Sequence, residues 1–393
     1  MRKTLKYRLY TAKRDKHLVE QIHVAASIWN HCVALTRRYY SLTAAIDGRG
    51  KHLPVARLMK HIAKLRRRNP YWQKLGSQAV QDVCQRLDKA YQRFFAKPGP
   101  VGRPGFKKRL KYSSFTLKQA GWKLVGPNKL RVGRKHYKFC LSRPLPVGGR
   151  QEGTIKTVTI KRDRAGRLWV CFSVVLQSEY PTPNEAVTRP VGLDFGLKDF
   201  LTTSDGQRIE SPLFFEQRRD GLAKLQRDLA RKKRGSNRRR KARIKKAKYE
   251  ATTANMRRDF HFKLAHDLCD QYDAIGIEDL NLDGMKRRAG SRRRWGKKVS
   301  ELGLGSFVEI LHHVAAKRGV HVVAIDRFYP SSKTCSECGE VNKDLALSDR
   351  DWQCDGCGAV HDRDVNAAKN IQGRAFPCGV GDVRPEMAPA IAA

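Results

Sequence analysis

Two sets of side chains in this sequence are spaced for metal chemistry. Cys335-Ser-Glu-Cys338 and Cys354-Asp-Gly-Cys357 are C-x-x-C units separated by fifteen residues. Each puts two thiolates on one tight turn, and Gly339 and Gly358 follow where the backbone must reverse. Four thiolates are the ligand set of a closed, tetrahedral structural Zn²⁺. No ligand position is left open, so this zinc is not a catalytic metal. Two copies at ribbon spacing are more than a redox C-x-x-C needs. The other six of the ten cysteines (Cys32, Cys84, Cys140, Cys171, Cys269, Cys378) are scattered, which suits reduced thiols rather than a disulfide framework.

The second set is acidic. Asp194 closes an apolar run before a glycine (VGLDFG), Glu278 ends the apolar run AIGIED, and Asp364 stands at the opening of a final helix, in HDRDVNAAKN. An acid at the end of an apolar strand is costly unless something partners it. If the three meet, their charges repel unless cations lie between them, and oxygen ligands suit Mg²⁺ or Mn²⁺. Two such ions about 4 Å apart would hold the attacking water and the leaving oxygen of a phosphodiester in line. Strand-end capping, or pairing with the many arginines, is the competing reading. Asp362 competes with Asp364 for the helix cap, Asp279 competes with Glu278, and Asn366 and Asn370 fall on one helical face.

Lysine plus arginine number 81 against 37 acids, a net charge of +44 over 393 residues. Such a charge opposes compaction unless a polyanion neutralises it, and the polyanion with suitable length is nucleic acid. A purely structural protein, an enzyme of acidic substrates and a secreted enzyme are disfavoured. Arg231–Lys248 and Lys286–Lys298 are the densest basic runs. Within them Arg238, Arg239, Arg240 and Lys241, and Arg292, Arg293 and Arg294, are the expected backbone contacts. Lys107, Lys108 and Arg109 precede Tyr112, Phe115 and Trp122, so aromatics could stack on unpaired bases there. Phe94, Phe95 and Trp122 themselves read as core. The charged N-terminus carries no apolar signal segment, and no run of about 18 apolar residues occurs. We therefore expect a cytoplasmic, nucleoid-associated prokaryotic protein with no membrane partner.

The elements that must position these groups read as a multidomain α/β chain. Alternation predicts a strand over Lys3–Tyr10, and helical spacing predicts helices over His17–Tyr40, Val55–Arg68 and Ser77–Phe95, with a stop at Asn69-Pro70. Short β runs follow between Ser114 and Leu176. Residues 1–10 and 96–182 read as one β-rich domain interrupted by a helical domain, 11–95. Residues 190–372 read as a second, α/β domain. It contains a strand–turn–strand from Val191, one long basic helical region over Phe215–Tyr272, the Glu278 strand, a helix from Leu302 and a buried strand over Val320–Ile325. The cysteine ribbon spans 331–361 inside it, and 373–393 reads as a flexible tail.

The ordered set VGLDFG, Ile277-Glu-Asp-Leu280, the two C-x-x-C units and DRDVNAAKNI resembles the TnpB family, transposon-encoded RNA-guided nucleases similar to type V CRISPR effectors. Tyr7-Arg-Leu-Tyr10, Ala90–Phe95 and Gly105–Lys108 share the likeness, so it extends over nearly the whole chain. The resemblance implies an RNase H-like RuvC nuclease domain carrying an inserted zinc ribbon, with Asp194, Glu278 and Asp364 as the magnesium-binding triad. It selects Asp364 over Asp362, because the family acid stands two before Asn. It implies a wedge-type N-terminal β-barrel with an inserted helical recognition domain, and a guide RNA from the transposon end, one protein per guide. That RNA pairs with one strand of a double-stranded target, while the protein reads a short flanking motif. The contacts to that motif fall on Ser77 and Gln78 by position, and on Gln81 and Thr116 by position and type. The implied activity is Mg²⁺-dependent DNA cleavage. A silent RNA-guided DNA-binding regulator on the same fold, and a guide-free zinc-ribbon nucleic-acid binder, are the alternatives.

Overall fold

The computed structural model describes residues 1–10, 15–97, 99–147, 153–176, 180–183, 186–281, 284, 293–346 and 349–377, with backbone alone over 293–297. The chain divides into two units, Met1–Glu179 and Tyr180–Ala393.

In the first unit, the alternation of Leu5 and Tyr7 with charged residues produces strand β1 (Arg2–Arg8), buried on one face. It joins β2 (Ser114–Leu117), β6 (Thr154–Arg162) and β7 (Leu168–Val175) in an antiparallel sheet of order β1-β7-β6-β2, with Leu5 opposite Phe172. A second sheet, β3 (Trp122–Gly126), β4 (Lys129–Val132) and β5 (Lys135–Lys138), meets this one at the bridge between Leu9 and Phe139. The rings of Tyr7, Phe139 and Phe172 close the space between, with centroids 5.4–5.9 Å apart.

The helices are α1 (Asp15–Asp47), α2 (Val55–Arg68), α3 (Pro70–Gln73) and α4 (Ser77–Ala96). Helix α1 runs about two turns past its expected end. The expected stop at Asn69-Pro70 becomes a restart: Asn69 Oδ1 accepts from the Trp72 N–H, capping α3, with proline at its first position. Of the three aromatics read as core, Phe94 and Trp122 pack half-buried against it, but Phe95 is 51 % exposed. At the end of α4 it has the His52 and Phe94 rings 5.5 Å away and is open beyond them.

In the second unit a five-stranded sheet runs β10-β9-β8-β11-β12. The strands are β8 (Pro190–Asp194), β9 (Asp199–Thr203), β10 (Arg208–Glu210), β11 (Ala274–Glu278) and β12 (His321–Ile325). β8, β11 and β12 are parallel, β9 pairs antiparallel to β8, and β10 pairs antiparallel to β9, so β9 alone is reversed. β8 and β11 are apolar runs because both faces are covered, whereas β12, expected to be buried, lies at the sheet edge with Val322 and Val323 half-buried and Ala324 exposed. The expected single basic helical region is three helices: α5 (Phe214–Gln217), α6 (Arg219–Ala230) and α7 (Asn237–Gln271). Gly235 at φ +88° turns the chain, and Ser236 caps α7 through the Arg239 N–H. Helices α8 (Arg293–Leu302) and α9 (Leu304–Arg318) precede β12, so the last part of the second basic run is helical rather than loop. The hairpin β13 (Asp351–Gln353) and β14 (Val360–Asp362) leads into α10 (Arg363–Ala375). Most of the expected tail lies outside the described residues. No described helix is long and apolar enough to cross a membrane.

Candidate active site and metal centre

Two glycines set where α10 lies. A Cβ at Gly192 would fall 1.9 Å from the Ala368 carbonyl oxygen, and one at Gly276 would fall 2.9 Å from the Ala375 Cβ. The helix therefore rests directly on β8 and β11, whose C-terminal residues are Asp194 and Glu278. Asp364 is in the first turn of the same helix, so three acids far apart in sequence come to one end of the sheet. Asp362 is the helix cap, its Oδ1 accepting from the Val365 N–H at 3.0 Å, and it also pairs with Arg208. Asp279 pairs with Arg327 and is largely exposed. Both competitors are thus engaged elsewhere.

Burial first, then the charges of Glu278 and Asp364, push the Asp194 carboxyl up to about 7, against the opposing pull of Arg363 and Arg350. The three acids are in electrostatic contact. They are not drawn together as tightly as metal ligands: among the described residues only the cysteine quartet is gathered to that degree. Glu278 Oε1 accepts from the Ser331 hydroxyl, and both carboxylate oxygens of Asp364 accept from Arg350, at 2.9 and 3.2 Å. Neither Ser331 nor Arg350 was visible as a site residue in the sequence. Arg350 is one arginine among many, and only the fold brings the ribbon segment that carries it to Asp364.

The sulfurs of Cys335, Cys338, Cys354 and Cys357 lie within 4.8 Å of one another, with two contacts at 3.6 and 3.7 Å. Tetrahedral Zn²⁺ with bonds of about 2.3 Å requires sulfurs ~3.8 Å apart, so the quartet fits the ion. The Glu340 N–H favours the Cys338 thiolate. Desolvation and the three neighbouring sulfurs outweigh it and push that thiol up to about 12. Bound zinc removes this mutual repulsion. His361 Nε2 lies 3.0 Å from Cys335 Sγ and packs on Trp352.

Asn366 and Asn370, on the buried face of α10, tie the ribbon to the acid-bearing helix. Asn366 Nδ2 donates to the Thr334 carbonyl at 2.7 Å, and its Oδ1 accepts from the Ser336 N–H at 2.9 Å. Asn370 Nδ2 reaches the Ser331 and Thr334 carbonyls at 2.8 and 2.6 Å.

The other expected residues are placed unevenly. Ser77 and Gln81 are exposed at the start of α4, and Gln78 is half-buried. Thr116 is buried in β2, its hydroxyl held by Arg86 and Thr159. Arg238, Arg240 and Lys241 are exposed on α7, whereas Arg239 turns inward to the Leu229 and Lys232 carbonyls. Arg292 lies outside the described residues, and Arg293 and Arg294 begin α8.

Residues 305–371 match the family model "Cas12f1-like, TNB domain", and residues 173–289 match one described as "Probable transposase". A Streptomyces pristinaespiralis protein named "Putative RNA-guided DNA endonuclease" is 37 % identical over 316 residues, covering 79 % of this chain and 75 % of that one. The Escherichia coli K12 protein "Putative RNA-guided DNA endonuclease InsQ" is 32 % identical over 310 residues, covering 75 % and 73 %. "TnpB-like protein L79" of Acanthamoeba polyphaga mimivirus is 30 % identical, covering 55 % and 42 %. In fold, the chain is similar to the protein of the Cas12f1-sgRNA-target DNA complex, with TM-score 0.59, 13 % identity and coverage of 95 % and 98 %. By these similarities, which include both motif-bearing regions, the chain belongs to the TnpB family.

Proposed function

We propose that this chain is an RNA-guided DNA endonuclease of a transposable element, cleaving double-stranded DNA that matches a guide RNA beside a short transposon-associated motif. The observation that carries this is the meeting of Asp194, Glu278 and Asp364 at one end of the sheet, where burial, and then the charges of the other two acids, raise the Asp194 carboxyl. The names of the two bacterial relatives support the same reading. So does the sheet order β10-β9-β8-β11-β12, with β9 alone running against the other four strands, which suits an RNase H-like RuvC domain over 190–372. We assign residues 1–10 and 96–182 to a wedge-like domain and 11–95 to a recognition domain, and take Ser77, Gln78, Gln81 and Thr116 as the motif readers. One protein serves one guide, in the prokaryotic cytoplasm.

Asp194, Glu278 and Asp364 would hold Mg²⁺, probed equally by Mn²⁺. Bound divalent ions supply charge against the scissile phosphate and lower the pKa of an attacking water. The Ser331 hydroxyl orients Glu278 toward the cluster. Arg350 must leave Asp364 for both of its oxygens to become ligands. The Asn366 and Asn370 amides hold helix α10 at fixed height, so that Asp364 keeps its place during the exchange. Exposed Arg238, Arg240 and Lys241 track phosphates without reading bases.

The test is Asp194→Ala, purified with its co-expressed guide RNA and given a matching target in Mg²⁺. Cleavage is lost while guide and target binding survive. Equal cutting by the variant rejects the assignment. A wild type that binds its target and never cuts, in Mg²⁺ or Mn²⁺, is instead a guided regulator.

A further inference from the structure

The first unit holds a cavity of about 130 Å³ between the end of α1 and the end of α4, lined by Thr36, Tyr40, His52, Tyr91, Phe94, Phe95 and Arg103. Its walls are rings. His52 lies 5.1 Å from Tyr91 and 5.5 Å from Phe95, and Phe94 lies 5.5 Å from Phe95. The rim is open, with Tyr40 41 % and Phe95 51 % exposed. Large rings left in water beside a hollow bury further apolar area only when something enters. Tyr91, 2 % exposed, contributes its ring to the lining, while its unpartnered Oη is buried away from the hollow. The guanidinium of Arg103 sits over the Tyr40 ring at 5.1 Å, and that of Arg37 over the exposed Phe106 ring at 5.0 Å.

We propose that this cavity takes one unpaired nucleobase, a pyrimidine by its size, with Arg103 beside it to meet the flanking phosphate. A cavity of ~150 Å³ admits a single benzene ring, so 130 Å³ suits a six-membered base. Every base has a π-face for Tyr40 or Phe95, and Arg103 supplies the charge for its flanking phosphate. Phe106 under Arg37 gives the next base along the strand a second platform. A membrane or an acidic peptide would use the arginines but has no planar group for the hollow. The inference rests on the nucleic-acid reading above, not on cleavage.

The test uses the full-length protein freed of nucleic acid, with U12 and dT12 carrying one 4-thio-pyrimidine for photocross-linking. Adducts are expected on peptides containing Tyr40 or residues 91–103. Tyr40→Ala and Phe95→Ala each weaken binding about 5- to 150-fold, the range for losing one base stack. Both side chains are exposed, so the fold should survive, and the cross-link on wild type needs no variant. Dependence with U12 alone assigns the base to RNA, and with dT12 alone to DNA; either supports the site. Wild-type binding with variants unchanged and adducts elsewhere overturns the pocket alone. Binding of neither oligomer overturns the pocket and the nucleic-acid reading together.

Discussion

Nη1 of Arg350 donates to both carboxylate oxygens of Asp364, so a side chain of the cysteine ribbon occupies one of the three clustered acids. On the metal reading proposed above, a divalent ion would have to displace it. The arginine is more than half exposed, so the pair is worth only about 0.5–1 kcal/mol. Arg350→Ala should therefore tighten Mn²⁺ binding by the nucleic-acid-free protein roughly two- to fivefold. Titration followed by Mn²⁺ electron resonance reads this directly, and weaker binding by the variant would contradict it.

The ribbon and the acid-bearing helix should loosen together. Cys354→Ser, or chelation of metal from wild type, would remove the cation that these four clustered sulfurs are placed to hold. Asn366 is buried with both amide atoms bonded to the knuckle backbone, so disorder there passes into α10. Hydrogen exchange over residues 363–371 should accelerate and the melting temperature should fall. Loss of zinc with unchanged exchange refutes the coupling, and unchanged zinc content in the variant refutes Cys354 as a ligand.

Gly192→Ala tests the seat of α10. The added Cβ meets helix backbone, Ala368 O at 1.9 Å and Gln372 N at 2.6 Å, so no side-chain rotation relieves it. We expect a loss of about 1–3 kcal/mol in stability and reduced cleavage as Asp364 shifts. Gly102→Ala, with nothing within 4 Å of its Cβ, is the control. If both variants melt like wild type, the close approach is not what positions the acid.

His261 supplies part of the acid sensitivity, beside His23, which burial and then Arg109 and Arg162 also lower to about 4. His261 is 1 % exposed among Phe200, Phe260 and Phe307, with Nε2 against the Leu302 carbonyl. Burial, then Arg257, lowers it to about 4, against the Leu302 carbonyl's pull upward. The unfolded chain binds this proton near pH 6.5 and the folded one does not until about pH 4. Its contribution is therefore present above 6.5 and lost as pH falls toward 4, on the order of 3 kcal/mol in all. His261→Phe keeps the ring packing and should flatten the melting temperature between pH 6.5 and 4. A slope equal to wild type would assign the acid loss to other groups.

Local chemistry made much of this molecule legible in one dimension. The C-x-x-C pairs can close only over short distances, so their spacing alone specifies a thiolate quartet, and the charge of +44 specifies a polyanionic partner. Strands and helices such as β1, α2 and α4 appear where the period of apolar residues requires them. Spacing could not decide between Asp362 and Asp364, because either is a sound helix cap. Tertiary structure decided the cap, with Asp362 accepting the Val365 N–H, and set Asp364 facing Asp194 and Arg350. The same holds for Arg350, Ser331 and the unpartnered Tyr91 hydroxyl. Their meaning depends on neighbours many residues away, and a contact of that kind exists only once the chain has closed on itself.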